Sequence, residues 1–285
     1  MEISKILDLE NDGINMAVHE QFLYIRCKNT MYKYNLVDMS LAAHNEIFKK
    51  DGKSRGFTIY DDFVFLHDFL DLYILGKDDL ELKEVFRLGE NLSSDIGGVM
   101  AFDAPMAYVS IRNGRVDALD LNTKKATRFE ISDSSNWCSC VAGKYIYAGT
   151  TKGELIEVDK ENMRTTRKIQ LSNKKNIYGV VFYNGMLYTV SLDKTIKVIN
   201  ADLFEVVHII PRALKGSMTR ILGIYNDVLV IAEWSEIALW DIKTLQPLKR
   251  FRFPTNDFNM GAILGGNTLF GSDHHGIYST ILNEL

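Results

Sequence analysis

The sequence predicts an all-β chain, a single seven-bladed β-propeller with four antiparallel strands per blade spanning residues 1–285. Three observations carry this expectation. A short aliphatic run closed by Asp or Asn returns about every 41 residues, hairpin-type turns separate the apolar runs, and no long window shows helical spacing. Residues 113–120, 152–159, 193–200 and 234–241 each hold a turn residue, a β-branched or aliphatic run and a closing Asp or Asn. Residues 31–35 belong to the same set, and 72–76 form a weaker copy ending in Gly76. The closing positions 35, 76, 120, 159, 200 and 241 are separated by 41, 44, 39, 41 and 41 residues.

Each interval holds the same order of pieces. In the fifth, an apolar strand over 176–183 meets Asn184-Gly185, a second strand follows over 186–191, then the closing run and a more polar fourth strand over 205–210. Asn184-Gly185, Asn226-Asp227 and Gly266-Asn267 occupy equivalent places, and these pairs tolerate the positive φ of tight hairpins. Four strands per unit of about 41 residues is propeller spacing. First strands begin near 13, 56, 96, 135, 176, 219 and 257. The seventh unit runs out after its third strand, so residues 2–9 are expected to supply the outer strand of blade seven and cover its edge.

Composition narrows the function classes. Hydrophobic residues make up 46% and charged residues 25%, enough for a packed core and too apolar for a disordered chain. Lys and Arg number 33 against 37 Asp and Glu, which argues against a nucleic-acid binder with a basic surface. No run of 18 apolar residues occurs, so no spanning helix and no membrane association is expected. The opening residues lack a basic stretch followed by an apolar run, and the cysteines Cys27, Cys138 and Cys140 follow no disulfide framework. A cytoplasmic location with reduced thiols is the expectation, with Cys138 and Cys140 as small core residues.

Residues 191–200, Ser-Leu-Asp-Lys-Thr-Ile-Lys-Val-Ile-Asn, and 236–241, Glu-Ile-Ala-Leu-Trp-Asp, resemble the third-strand motif of WD-repeat propellers, and the likeness spans essentially the whole chain. Only Trp240-Asp241 supplies the literal Trp-Asp pair, and the Gly-His dipeptide usual before a first strand is absent from every repeat. The chain thus resembles a divergent WD-repeat-like propeller. In that chain order, loops from fourth to first and from second to third strands share one face.

That face is where contact residues are expected, because propeller pockets form at the mouth. Trp137, Tyr178, Arg220, Trp234 and Phe258 sit there, and Trp, Tyr and Arg dominate binding hot spots. A second candidate surface is a basic rim of Arg164, Arg167, Lys168, Lys249, Arg250 and Arg252 on the outer strands of blades four and six. Charge is unevenly shared: residues 60–104 hold 11 acids and 3 bases, residues 160–255 hold 15 bases and 8 acids. Such a rim suits an acidic protein partner. The expected function is a non-catalytic protein-protein interaction scaffold in a larger assembly, with one or more proteins as partners and no catalytic residue, metal or cofactor. The competing reading is a lyase- or lactonase-type propeller enzyme acting at a central channel, using carboxylates among Asp68, Asp95, Asp193, Glu233 and Asp273. His274-His275 would be its metal candidates, but adjacent strand residues point to opposite faces, and a plain corner explains the pair.

Overall fold

Runs of β-branched and aromatic residues broken by turn residues fold the described residues into 28 strands, which join into seven four-stranded antiparallel sheets. The fold is the seven-bladed β-propeller expected from the repeat spacing. The computed structural model describes residues 3–8, 14–27, 29–47, 56–67, 71–87, 96–216, 219–233, 236–252, 262–273 and 276–282.

In chain order β1 is Ser4–Leu7. The first sheet is β2 (Ile14–His19), β3 (Phe22–Cys27), β4 (Thr30–Asn35) and β5 (Leu41–Glu46). The second is β6 (Gly56–Tyr60), β7 (Phe63–His67), β8 (Asp71–Gly76) and β9 (Leu82–Arg87). The third is β10 (Ile96–Asp103), β11 (Met106–Ile111), β12 (Arg115–Asp120) and β13 (Lys125–Glu130). The fourth is β14 (Asn136–Ala142), β15 (Tyr145–Thr150), β16 (Glu154–Asp159) and β17 (Arg164–Gln170). The fifth is β18 (Ile177–Tyr183), β19 (Met186–Ser191), β20 (Ile196–Asn200) and β21 (Glu205–Ile210). The sixth is β22 (Arg220–Tyr225), β23 (Val228–Ala232), β24 (Ile237–Asp241) and β25 (Gln246–Phe251). The seventh joins β26 (Ile263–Gly265), β27 (Thr268–Asp273) and β28 (Gly276–Ile281) to β1. The described first strands open at 14, 56, 96, 136, 177 and 220; the seventh, β26, is described from 263, and position 257 lies outside the described residues.

Middle strands are buried on both faces, so they read as continuous apolar runs: β19 is Met-Leu-Tyr-Thr-Val-Ser and β23 is Val-Leu-Val-Ile-Ala. Outer strands face water and read as polar, as in Arg-Thr-Thr-Arg-Lys-Ile-Gln of β17. At the seam, β1 pairs with β28 through Ser4 opposite Ser279 and Lys5 opposite Tyr278. Gly276 lets this happen: a Cβ there would stand 2.2 Å from the Leu7 carbonyl oxygen.

The repeat signature has a mechanical cause. Asn35, Asp120, Asp159, Asn200 and Asp241 are each the last residue of a third strand. Their side-chain oxygens accept backbone N–H bonds two or three residues on, from Val37, Asn122 and Thr123, Glu161 and Asn162, Leu203, and Lys243 and Thr244. The Thr244 and Lys243 amides hold the Asp241 carboxyl below the usual range. In the second sheet Asp79 takes over, accepting from the Glu81 amide, beside Gly76. Ile281 closes β28, whose outer partner is β1 rather than a strand reached through such a turn.

Four residues beyond each closing position the backbone turns left-handed, at Met39, Leu80, Lys124, Met163, Phe204 and Leu245, with φ between 52° and 57°. None is glycine, so each carries strain of about 1 kcal/mol. Burial offsets it. Leu80 packs with Tyr24 and Met31 of the first sheet, Met163 with Ala101 and Tyr108 of the third, and Phe204 with Tyr147 of the fourth. Met39 reaches Phe270 and Ile263 of the seventh. Each of these four side chains plugs the core between its own sheet and the preceding one.

The chain divides into two compact units, residues 1–90 with 222–285, and residues 91–221. Within the first unit, sheets seven, one and two share apolar cores around Leu23, Ile25, Phe270 and Ile277 and around Tyr24, Leu66 and Leu75. Within the second, sheets three and four meet around Tyr108, Ile146 and Ile156, and sheets four and five around Leu155, Ile177 and Leu187. Gly153, in the turn before β16, has φ 81° and would place a Cβ 2.4 Å from Ser172 Oγ. Gly153→Ala is therefore expected to cost about 2 kcal/mol in urea unfolding, from strain and the lost register of the Gly153 carbonyl with the Leu171 and Ser172 amides.

Candidate interaction site

The second unit presents aromatic residues by a repeated backbone irregularity. Where β14 meets β15, Asn136 faces Thr150 and Cys138 faces Gly149, so Trp137 is an extra residue. Where β18 meets β19, Ile177 faces Ser191 and Gly179 faces Val190, so Tyr178 is the extra residue. A bulge residue leaves the ladder, and its side chain is re-aimed away from the packed faces. Trp137 is 43% exposed in consequence. The two rings meet edge to face, centroids 6.0 Å apart and planes at 75°, and the Tyr178 hydroxyl accepts from Asn176 Nδ2 at 3.4 Å. Arg220, at the head of β22, reaches solvent, while the protein packed around it lowers its guanidinium pKa by desolvation. Lys174 and Lys175, both exposed, lie in the loop entering β18.

A rigid base stands under this pair. Cys138 is buried beside Trp137, and its thiol donates to the Ile177 carbonyl at 3.5 Å, tying β14 to β18. Burial pushes the Cys138 thiol up and Cys140 up to about 12, so both stay protonated and serve as small packing groups, as expected. All three cysteines are free thiols.

The basic rim residues lie on β17 and β25, with Arg252 just beyond, and most face carboxylates. Arg167 forms a fork on Glu157, which is 1% exposed: Nε donates to Oε1 at 2.8 Å and Nη2 bonds Oε2. The same guanidinium donates to the Asp202 and Ala201 carbonyls at 2.7 and 3.0 Å and lies 4.8 Å over the Phe204 ring. It thus bridges the fourth and fifth sheets. Arg250 bonds Glu233, Arg252 pairs with Glu236 at 3.1 Å, and Lys168 with Glu154 at 3.3 Å. Arg164 and Lys249 are exposed. Much of the rim's positive charge is neutralised within the fold.

Lys33 plays the Arg167 part between the first and second sheets. Buried over the Phe22 ring at 4.1 Å, it donates to the Lys77 carbonyl and to Asp78 Oδ1, both at 3.0 Å. Sequence reasoning missed both bridges, because their partners sit in the following repeat. The signal was a charged residue two places before the closing Asn35 or Asp159 in an otherwise apolar strand.

The carboxylates weighed for catalysis divide similarly. Asp193 binds Lys197 at 2.7 Å and accepts from Thr195. Burial pushes its carboxyl up, but those hydrogen bonds outweigh it and leave the pKa lowered. Glu233 is buried against Arg250. Asp68, Asp95, Trp234, Phe258, His274 and His275 lie outside the described residues, as does the side chain of Asp273. Among the described residues no cluster of three His, Cys, Asp or Glu side chains is placed to hold a metal. A shallow groove of about 680 Å³ runs along Asn113, Arg115, Glu130, Asp133 and Arg164, with Arg115 paired to Glu130 and Asp133 to Lys152. The Trp-Asp pair is used unevenly: Asp241 caps its turn, while the buried Trp240 Nε1 has no acceptor among the described residues.

No protein-family model and no curated protein matches the sequence. Solved structures do resemble the fold. The computationally designed Ika8 protein is 12% identical, with a TM-score of 0.74 over 97% of this chain and 99% of its own. The Pan2 WD40 domain of Neurospora crassa is 15% identical, with a TM-score of 0.75 over 95% of this chain and 89% of its own. A chain of the mitotic checkpoint complex is 10% identical, with a TM-score of 0.79 over 98% of this chain and 91% of its own. At these identities the likeness is one of architecture, that of a WD-repeat-like propeller.

Proposed function

We propose that this chain is a non-catalytic protein-interaction scaffold, with Trp137, Tyr178 and Arg220 as the described part of its contact surface. The observation that carries the reading is the repeated bulge that lifts Trp137 and Tyr178 out of two neighbouring ladders into an edge-to-face pair. Exposing an indole to water is unfavourable for folding, and a rigid aromatic pair beside cations loses little entropy when it is covered. Trp234 and Phe258 stay candidate contact residues on sequence grounds alone, outside the described residues. Lys174, Lys175, Arg220 and Arg164 of the second unit favour an acidic partner segment, and Lys249 is a further exposed cation of the first unit. Similarity to a chain of a multiprotein checkpoint assembly supports protein partners as a class. The free thiols suit a reducing, cytoplasmic setting.

The test is a purified-partner binding measurement after affinity capture from the native source, with Trp137→Ala and Tyr178→Ala as controls. Each substitution is expected to weaken binding by about 2 kcal/mol, roughly thirtyfold, without moving the urea midpoint. Undiminished binding by the double variant removes this surface from the function.

A further inference from the structure

Trp137, Tyr178 and Arg220 hold one structural position in the first strands of the fourth, fifth and sixth sheets. Each stands five residues before the last residue of its strand, Ala142, Tyr183 and Tyr225. The same count in β10 falls on Gly98, so the row begins at Trp137. Two close contacts hold the row together. The Cys138 thiol on the Ile177 carbonyl keeps Trp137 beside Tyr178. Gly179 does the same for Tyr178 and Arg220: a Cβ there would stand 2.9 Å from the Ile221 amide nitrogen, so its missing side chain lets β18 and β22 approach. The result is a graded row of indole, phenol and guanidinium.

Charge around the row is one-sided. Asp133, ahead of β14, and Asp193, after β19, are engaged with Lys152 at 2.6 Å and Lys197 at 2.7 Å. Lys174 and Lys175 are exposed and make no ion pair among the described residues. Arg220 reaches water with protein packed around it, so a carboxylate brought there meets a poorly hydrated cation. The Trp137 and Tyr178 ring centroids lie 6.0 Å apart. That is close to the step of about 6.6 Å between side chains two residues apart on one face of an extended chain. A strand laid along the row thus meets it with every second side chain. Building on the interaction reading above, we propose that the row recognises an extended acidic peptide segment, with apolar residues at two alternate positions over Trp137 and Tyr178 and Asp or Glu at the next on Arg220. Single-stranded nucleic acid suits the row less. Its rings meet edge to face and offer no pair of parallel faces to successive bases, and the chain carries a net charge of −4.

Fluorescence polarisation of labelled peptides with the full chain tests it. The probes are Gly-Ser-Leu-Ser-Leu-Ser-Glu-Ser-Gly and the same residues in reverse order, which offer the motif in both chain senses. One of them is expected to bind, and replacing its Glu by Gln, a change that leaves the protein untouched, should weaken binding at least roughly tenfold. Arg220→Gln should abolish the preference for Glu over Gln. Arg220→Glu, with its urea midpoint as a check on folding, should reject the Glu peptide and accept the peptide carrying Lys in its place. No binding by either peptide, binding indifferent to the Glu-to-Gln change, or tighter binding of an oligouridylate at the row overturns the proposal. A purified partner whose binding needs Trp137 and Tyr178 but ignores Arg220→Gln overturns it too, and leaves the scaffold reading standing.

Discussion

Arg167→Met is expected to lower the unfolding free energy by about 3–5 kcal/mol, a loss of the size usual for a core truncation although the residue stands on an outer strand. Removing the guanidinium strands the buried Glu157 carboxylate, to which Thr166 Oγ1 still donates at 2.6 Å, and cuts the bridge to Asp202 and Ala201. Urea unfolding measures the loss, and Arg167→Lys should not recover it, because an ammonium lacks the planar fork. Pairing Arg167→Met with Glu157→Met should recover most of it, since neither charge is then stranded. The pH dependence has a definite sign. Burial pushes the Glu157 carboxyl up, but hydrogen bonds from Arg167 and Thr166 and the guanidinium charge outweigh it, so its folded pKa lies below the ordinary glutamate range. Its contribution is fully present above the unfolded value of about 4.3 and fades as pH falls through the lower folded value. Acid unfolding of the Glu157→Gln variant should therefore be less steep in that window than that of the parent.

Phe204→Ala should cost about 3–5 kcal/mol, because the ring fills the core between the fourth and fifth sheets, stacks on Tyr147 at 6.2 Å and carries Arg167 above it. The sharper expectation concerns glycine. At an ordinary strand or helix position Gly is worse than Ala by about 0.5–1 kcal/mol. At φ 57° the order should invert, with Phe204→Gly no less stable than Phe204→Ala in the same unfolding series. Ala more stable than Gly at this site would contradict the offset of left-handed strain by burial at the corner.

The closing residues were legible because their chemistry is local: an Asp or Asn at the end of a strand accepts amides two and three residues away, wherever the rest of the chain lies. Trp137, Tyr178 and Arg220 were legible as residue types at equivalent places, but not as bulges, since a bulge is a property of two strands in register. The left-handed corners were illegible for a different reason. Asn or Gly would have announced them, whereas Met39, Leu80, Met163 and Phe204 are selected by the neighbouring sheet's core, which overrides local preference. The basic rim shows the same limit from the electrostatic side. Composition places Arg167 and Arg250 on outer strands, yet only the pairing of Glu157 with Arg167 and of Ala238 with Arg250 reveals that their charge is turned inward.

Ser4 pairs with Ser279, so the seventh sheet joins segments that lie far apart in sequence. During translation β1 emerges ahead of the other described strands and has no mate until β28 follows, many seconds later at about 5–20 residues per second. The six sheets whose strands are contiguous can assemble as they emerge, while this one is completed after them, at the high entropic cost of a contact between distant segments. Nascent chains stalled short of β28 should therefore hold six sheets and an unpaired, protease-sensitive β1 segment.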